Sequence, residues 1–410
     1  MKPLPTTPLV SPGWRSALDR LRERTGRHPP RDLAALVRAE LGIDLTARYA
    51  GLTIPHPFGK ASGQLSCTVP QVEADVAAGV AFIVLKTVIA EGPAGDRAME
   101  AWTVPERKMR VERRRVPDGR EGWTTTWKGR GWTGSLQEYL AFVERALDVA
   151  REPDVPVIPS VKYHLPGAAE SLREDEYRFT TERLLALWER AGCGGDMILE
   201  KDFSPTLAGD ARAGDRERVL DWLVTAPRMI RAAAGGRVRL GVKVMNALFD
   251  DAFQVDMVRV LAERDPPAFL VVFNRLFDPA AGSAYGGWEL SDRNLRVLDA
   301  LRDVLPSAPP LSATGNICSG RMMFEYARRG CENGQLHTFF QLPLSSYTAA
   351  GGSRSARALH TLLLHPTEGL AVWVRHAHER GGLEARNGEV RLLDVVDAAR
   401  TAPREAGGAC

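Results

Sequence analysis

The 410-residue sequence predicts an α/β chain built as a parallel (β/α)8 barrel, with a helical extension at its N-terminus and a β-hairpin lid inserted after the second strand. Three observations lead there. From residue 52 onward, short runs rich in Val, Ile, Leu and Phe alternate with segments of helical period, as expected of parallel strands buried on both faces. These runs end in small, hydroxylated or charged residues, the positions from which such barrels draw their working side chains. The composition, 44% hydrophobic and 26% charged, is that of an ordinary globular chain, and the length suits one large barrel with extensions.

Taken in order, residues 1–50 form the N-terminal extension, with helices over 14–23 and 31–41. The second carries Leu33, Leu36, Val37 and Leu41 on one stripe and stops at Gly42. The barrel spans 51–385, with strands expected over 57–62, 82–88, 156–164, 197–204, 238–245, 269–274, 310–314 and 335–339. Helices are expected over 69–78, 136–150, 174–190, 216–233, 253–263, 292–304 and 321–329. The insertion 90–135 is the longest connection, and alternating residues on both sides of Pro117, Asp118 and Gly119 predict its hairpin. A connection that long at the catalytic end of a barrel reads as a lid or wall. Residues 386–410 are expected to be a C-terminal tail.

The net charge of +3 is small for this length and the arginines are dispersed, so a nucleic-acid partner is not expected. No apolar run nears the ~18 residues of a membrane span, and the N-terminus lacks the apolar core of a signal peptide. The expectation is a cytoplasmic enzyme acting on a small molecule, without stable membrane insertion; a homodimer is compatible with the sequence. The five cysteines are an odd number at scattered positions with no Cys-x-x-Cys pair, so no metal is expected.

The residues at the strand ends carry the chemistry: Ala61, Ser62 and Gly63; Lys86 and Thr87; Lys162 and His164; Asp202 and Ser204; Lys243; Asn274; Gly315 and Asn316; His337 and Thr338. Burying an unpartnered lysine is costly, so Lys86 and Lys243 are expected to face a charged or strongly accepting ligand. The turn from Gly315 through Ser319 and Gly320 stands between a strand and a helix. There it is either plain punctuation or an anion site made of backbone N–H groups and a helix N-terminus.

With these residues in view, the sequence resembles the flavin-dependent dihydroorotate dehydrogenases from about residue 51 to 382. The motifs that carry the resemblance are 57–63, 82–88, 241–244, 271–275, 312–320 and 335–338, in that order. The resemblance implies FMN as cofactor, with Ala61, Ser62 and Gly63 along the isoalloxazine and Lys86 and Thr87 bordering it. It also implies Lys243 at the pyrimidine end, and Gly315, Asn316, Ser319, Gly320 and Thr338 around the phosphate. Lys162, His164 and Asn274 would face the substrate. In the family the fourth strand ends in Asn-x-Ser-Cys/Ser-Pro-Asn, whose Cys or Ser removes a substrate proton. Here Ser204 precedes Pro205, but Asp202 stands where asparagine is expected and Thr206 replaces the second asparagine. The base is therefore Ser204 or Asp202, and the substrate is expected to be dihydropyrimidine-like or a specialised metabolite, with the electron acceptor open. Two rival readings are a flavin-free phosphate-binding lyase or aldolase using Lys243 or Lys86, and a barrel that binds FMN or a metabolite without turnover.

Overall fold

In the computed structural model, residues 1, 4–100, 109–115, 121–127, 131–167, 169–203, 216–278, 283–287 and 289–401 are described. Helices α1 (Pro12–Thr25) and α2 (Leu33–Leu41) lead to β1 (Ile43–Asp44) and a short antiparallel pair, β2 (Ala47–Tyr49) and β3 (Leu52–Ile54). The alternation then begins with β4 (Phe58–Lys60), α3 (Val69–Ala78), β5 (Ile83–Val84) and β6 (Val88–Ile89). After β7 (Met109–Arg115) and β8 (Glu121–Trp127) come α4 (Leu136–Arg151), β9 (Val157–Ile158), β10 (Ser160–Lys162), α5 (Glu174–Arg190) and β11 (Met197–Asp202). Next are α6 (Arg216–Ala233), β12 (Val238–Lys243), α7 (Asp251–Glu263) and β13 (Phe269–Val272). The strands β14 (Leu276–Asp278) and β15 (Ser283–Gly287) precede α8 (Glu289–Ala300), β16 (Leu311–Thr314), α9 (Gly320–Ala327) and β17 (Cys331–Leu336). The chain continues through α10 (Arg354–Leu364), α11 (Leu370–Glu379), β18 (Val390–Arg391) and α12 (Leu392–Thr401).

Local signals explain several boundaries. Ser135 caps α4 by accepting from the Glu138 N–H while the Glu138 carboxylate returns to the Ser135 N–H, a reciprocal capping box. Asp250 caps α7 by accepting from the Phe253 N–H.

Ten segments form one parallel sheet in the order β6-β10-β11-β12-β13-β16-β17-β4-β5-β9. β5 and β6 are two pieces of one run, as are β9 and β10, so the order begins and ends on the same two stretches and the sheet curls back on itself. Its widest contact is the six-residue register from Met197↔Val238 to Asp202↔Lys243. All six β11 residues are buried, charged ones included. The N-terminal end of the curled sheet is plugged by Tyr49, which stacks on Phe82 at 3.9 Å between ring centroids and tilts against Phe269 at 5.2 Å.

The structure corrects some boundaries. The second strand is interrupted at residues 85–87, where the Lys86 N–H donates to the Ser66 carbonyl at 2.8 Å. The last strand begins at Cys331 rather than 335 and ends at Leu336, and Thr338–Gln341 is a 3-10 turn. Polar Glu332 and Asn333 hid its start; both are satisfied by Arg48, through an ion pair of 3.0 Å and a hydrogen bond of 2.7 Å to its carbonyl. Two strands from the expected hairpin, β7 and β8, pair antiparallel, while the turn at residues 117–119 lies outside the described residues; the pair belongs to a four-stranded antiparallel sheet, β14-β15-β8-β7, with a partner pair that the sequence did not signal. Residues 390–401 of the expected tail form β18, which pairs in parallel with β1, and α12. Among the described residues, no helix is long and apolar enough to cross a membrane.

Candidate active site

A cavity opens at the C-terminal ends of the parallel strands, with about 930 Å³ of atom-free space when the solvent at its mouth is included. Its walls follow from the strand ends. Ala61, Ser62 and Gly63 leave β4; Lys86 and Thr87 occupy the break between β5 and β6; Asp202 and Lys243 end β11 and β12; Asn274 and Arg275 follow β13. Gly315 and Asn316 follow β16, Gln335 to Thr338 close the circuit from β17, and Trp123, Gly286 and Gly287 reach in from the antiparallel sheet.

Hydroxyl chains stiffen one side. The Ser62 and Thr87 hydroxyls are 2.7 Å apart, and Thr87 is 3.0 Å from the Ser160 hydroxyl. Under the opposite side lies a closed ionic group. Lys243 Nζ donates to Glu200 Oε1 and to Gln335 Oε1, both at 3.1 Å, and Gln335 Nε2 donates to Glu200 Oε2 at 2.6 Å. Asp202, 6% exposed, is paired with Lys162 Nζ at 3.3 Å.

Of the charged side chains lining the cavity, Lys86, Lys243 and Arg275 are cationic and Asp202 is anionic, so the space favours a ligand rich in negative charge or acceptor oxygens. Burial pushes the Lys86 ammonium down to about 8, helped by Arg275 and Lys243 and opposed by Cys67 and Asp202. Lys162 lies well below the usual lysine value, again chiefly by burial and against the pull of Asp202. Burial, then the nearby Lys60, Lys86, Lys243 and Arg275 charges, holds the His337 ring down to about 3. It is therefore a neutral imidazole, with Nδ1 2.8 Å from Gln341 Nε2.

The expected anion turn is built in part around the cavity. Gly315 has φ +92, a conformation that L side chains rarely adopt, and the Tyr326 hydroxyl holds its carbonyl at 2.7 Å. Asn294 Nδ2 donates to the Phe273 and Thr314 carbonyls at 3.0 and 3.1 Å, joining the ends of β13 and β16. Gly315, Asn316 and Thr338 line the cavity. Ser319 and Gly320 do not: Ser319 caps α9 by accepting from the Met322 N–H, and a side chain at Gly320 would collide with the backbone at Leu370. Thr338 accepts a 2.8 Å hydrogen bond from the buried Thr125 hydroxyl of β8.

Lys162 and His164 also stand outside the lining. Lys162 acts on it through Asp202, whereas His164 Nε2 meets Glu170 Oε2 at 3.1 Å. Ser204 lies outside the described residues. The site also contains residues that the strand-end reading passed over as site residues. Glu200 is two residues before Asp202 and so on the same face of β11, Gln335 is two before His337, and Arg275 adjoins Asn274. Trp123 had no sequence signal beyond membership of the hairpin.

No protein-family model matches the sequence, and no curated protein matches it. Among solved structures, the chain is similar to DHODH, dihydroorotate dehydrogenase, from Eimeria tenella, crystallised in complex with ferulenol. The two share 13% sequence identity and a TM-score of 0.58, over 91% of this chain and 95% of that one. At that identity the likeness speaks for the fold, and the curled parallel sheet with its mouth cavity has the fold of a dihydroorotate dehydrogenase.

Proposed function

We propose that this protein is an FMN-dependent oxidoreductase, built on a (β/α)8 barrel with the β7–β8 hairpin as lid, that interconverts CH–CH and C=C next to a carbonyl or amide. The observation that carries the reading is the single cavity wall joining Ala61–Gly63, Lys86, Lys243 and the Gly315 turn. The donor set suits FMN: a wall of small residues at 61–63, an ammonium at Lys243, and a left-handed glycine turn with Thr338 on the same cavity for a phosphate. When bound there, FMN would supply the acceptor for a hydride from a substrate C–H bond.

The chain's own residues then have separable tasks. Gly315, Asn316 and Thr338 hold the phosphate end. Lys243, backed by Glu200, donates to the acceptor edge of the ring. Asn274 and Arg275, which follow β13 beside β12, orient the substrate. Asp202 accepts the substrate proton on its carboxylate, which Lys162 orients through Oδ2; Ser204 is the alternative base. Lys86, pushed down to about 8, favours a second reading in which a flavin-free enzyme forms a Schiff base there with a carbonyl substrate. Borohydride trapping with substrate would support that one.

The test is to load purified protein with FMN, desalt it and record its absorption. Retained oxidised-flavin bands are expected, and their absence sinks the main reading. With yellow protein in hand, anaerobic bleaching is screened against dihydropyrimidines and other saturated amides. Asp202→Asn should slow bleaching by about 10²–10⁴-fold. If it bleaches as fast as the parent while Ser204→Ala does not, the proton goes to Ser204.

A further inference from the structure

Behind the cavity, Glu200 is fully buried on β11 and does not itself line the space. Both its oxygens are committed, Oε1 to Lys243 at 3.1 Å and Oε2 to Gln335 at 2.6 Å, and these two partners do line the cavity. The three side chains close a ring, because Lys243 also donates to Gln335 Oε1 at 3.1 Å. An ammonium carries three N–H groups, so this ring leaves Lys243 one to turn toward a ligand. The Gln335 amide is fixed as well. Flipping it would set NH2 against the ammonium and C=O against the carboxylate, two repulsive contacts in place of two attractive ones.

The charge balance matters as much as the orientation. A lone buried lysine would present the cavity with a full positive charge, whereas Lys243 with Glu200 presents the positive end of a short dipole, whose field falls off faster with distance. A ring that gains negative charge on reduction beside Lys243 is therefore stabilised less than it would be by an unpaired lysine.

We propose that Glu200 is a positioning residue that holds Lys243 and Gln335 toward the ligand and, by offsetting the lysine charge, keeps the reduction potential of the bound cofactor low. This inference rests on the flavin reading of the cavity. The experiment equilibrates FMN-loaded parent, Glu200→Gln and Glu200→Asp anaerobically with a reference dye and compares the ratio of reduced to oxidised flavin. Glu200→Gln keeps the size and removes the charge, so its ratio should rise at least about tenfold, equivalent to ~30 mV for a two-electron couple. Glu200→Asp keeps the charge and should stay within about threefold of the parent, given the factor of 2–3 by which single interactions vary with context.

A ratio for Glu200→Gln within threefold of the parent, or below it, overturns the proposal, as does an equal rise in Glu200→Asp. Should Glu200→Gln fail to fold, Glu200→Met takes its place, removing the charge at similar side-chain length while Lys243 stays. Its ratio should likewise rise about tenfold over the parent, and a ratio within threefold of the parent overturns the proposal. A parent that retains no FMN overturns the functional reading and this inference together, whereas a yellow parent with an unmoved Glu200→Gln variant overturns the inference alone.

Discussion

Two histidines outside the cavity set an acid limit on the fold. His56 is buried with Nε2 2.9 Å from the Gly79 carbonyl and Nδ1 accepting from the Phe58 N–H at 3.2 Å, and burial pushes it down to about 4. His360, fully buried 3.1 Å from the Thr25 hydroxyl, is likewise pushed by burial down to about 4. Both values lie below the ordinary 6.5, so between about 4 and 6.5 the unfolded chain binds more protons than the folded one. Stability is fully present above pH 6.5 and is lost as pH falls through that window. Each histidine contributes on the order of 3 kcal/mol at most. These two residues should therefore add to the fall in the midpoint of thermal unfolding below about pH 6. His56→Gln/His360→Gln should start lower but fall less steeply; parallel pH curves for parent and variant would remove these two residues as the cause.

At the scale of elements, the antiparallel sheet over the mouth is joined to the cavity wall through Thr125 and Thr338. Thr125→Val keeps the shape of β8 and deletes the hydroxyl. A net hydrogen bond of about 0.5–1.5 kcal/mol should then be lost, and FMN should dissociate roughly 2–10-fold faster. Release followed by the recovery of flavin fluorescence measures this, and an unchanged rate would show that β8 does not secure the cofactor. The sequence disclosed the β7–β8 strand pair through the alternation of residues 109–115 and 121–127, but not its partner pair, because Ala284, Tyr285, Gly286 and Gly287 carry little apolar alternation. The parallel strands were legible for the opposite reason: burial on both faces leaves continuous Val, Ile and Leu runs. β17 shows where that signal fails, since its first half is Cys331, Glu332, Asn333 and Gly334, and its polar groups are satisfied by Arg48 and Ser312 from elements distant in sequence. Strand ends likewise disclosed Asp202 and Lys243. Glu200 stayed hidden within an apolar run, although its two-residue offset from Asp202 already placed it on the same face.

Across the whole molecule, residues 43–49 and 390–401 meet below the curled sheet, on the side away from the cavity. β1 pairs with β18 through Ile43↔Val390 and Asp44↔Arg391, and α12 follows with Leu392 and Val396 fully buried. Arg48 ties this layer to the last parallel strand, pairing with both Glu332 and Asp397. Tyr49, one residue on, enters the plug against Phe82. The exposed pair Arg38–Glu389 adds little, as surface ion pairs do, so the closure depends on the apolar side chains of α12. Leu392→Ala should then cost about 2–5 kcal/mol, the range for a fully buried leucine, out of a total stability of about 5–15 kcal/mol. The cavity is built by the opposite ends of the strands, so at 25 °C the dissociation constant for FMN should stay within twofold of the parent's even as the urea midpoint drops. Chemical unfolding and flavin binding on the same preparation decide the matter. If the two properties fall together, the terminal layer shapes the cavity through β17, whose Glu332 and Gln335 then act as one rigid unit between Arg48 and Lys243.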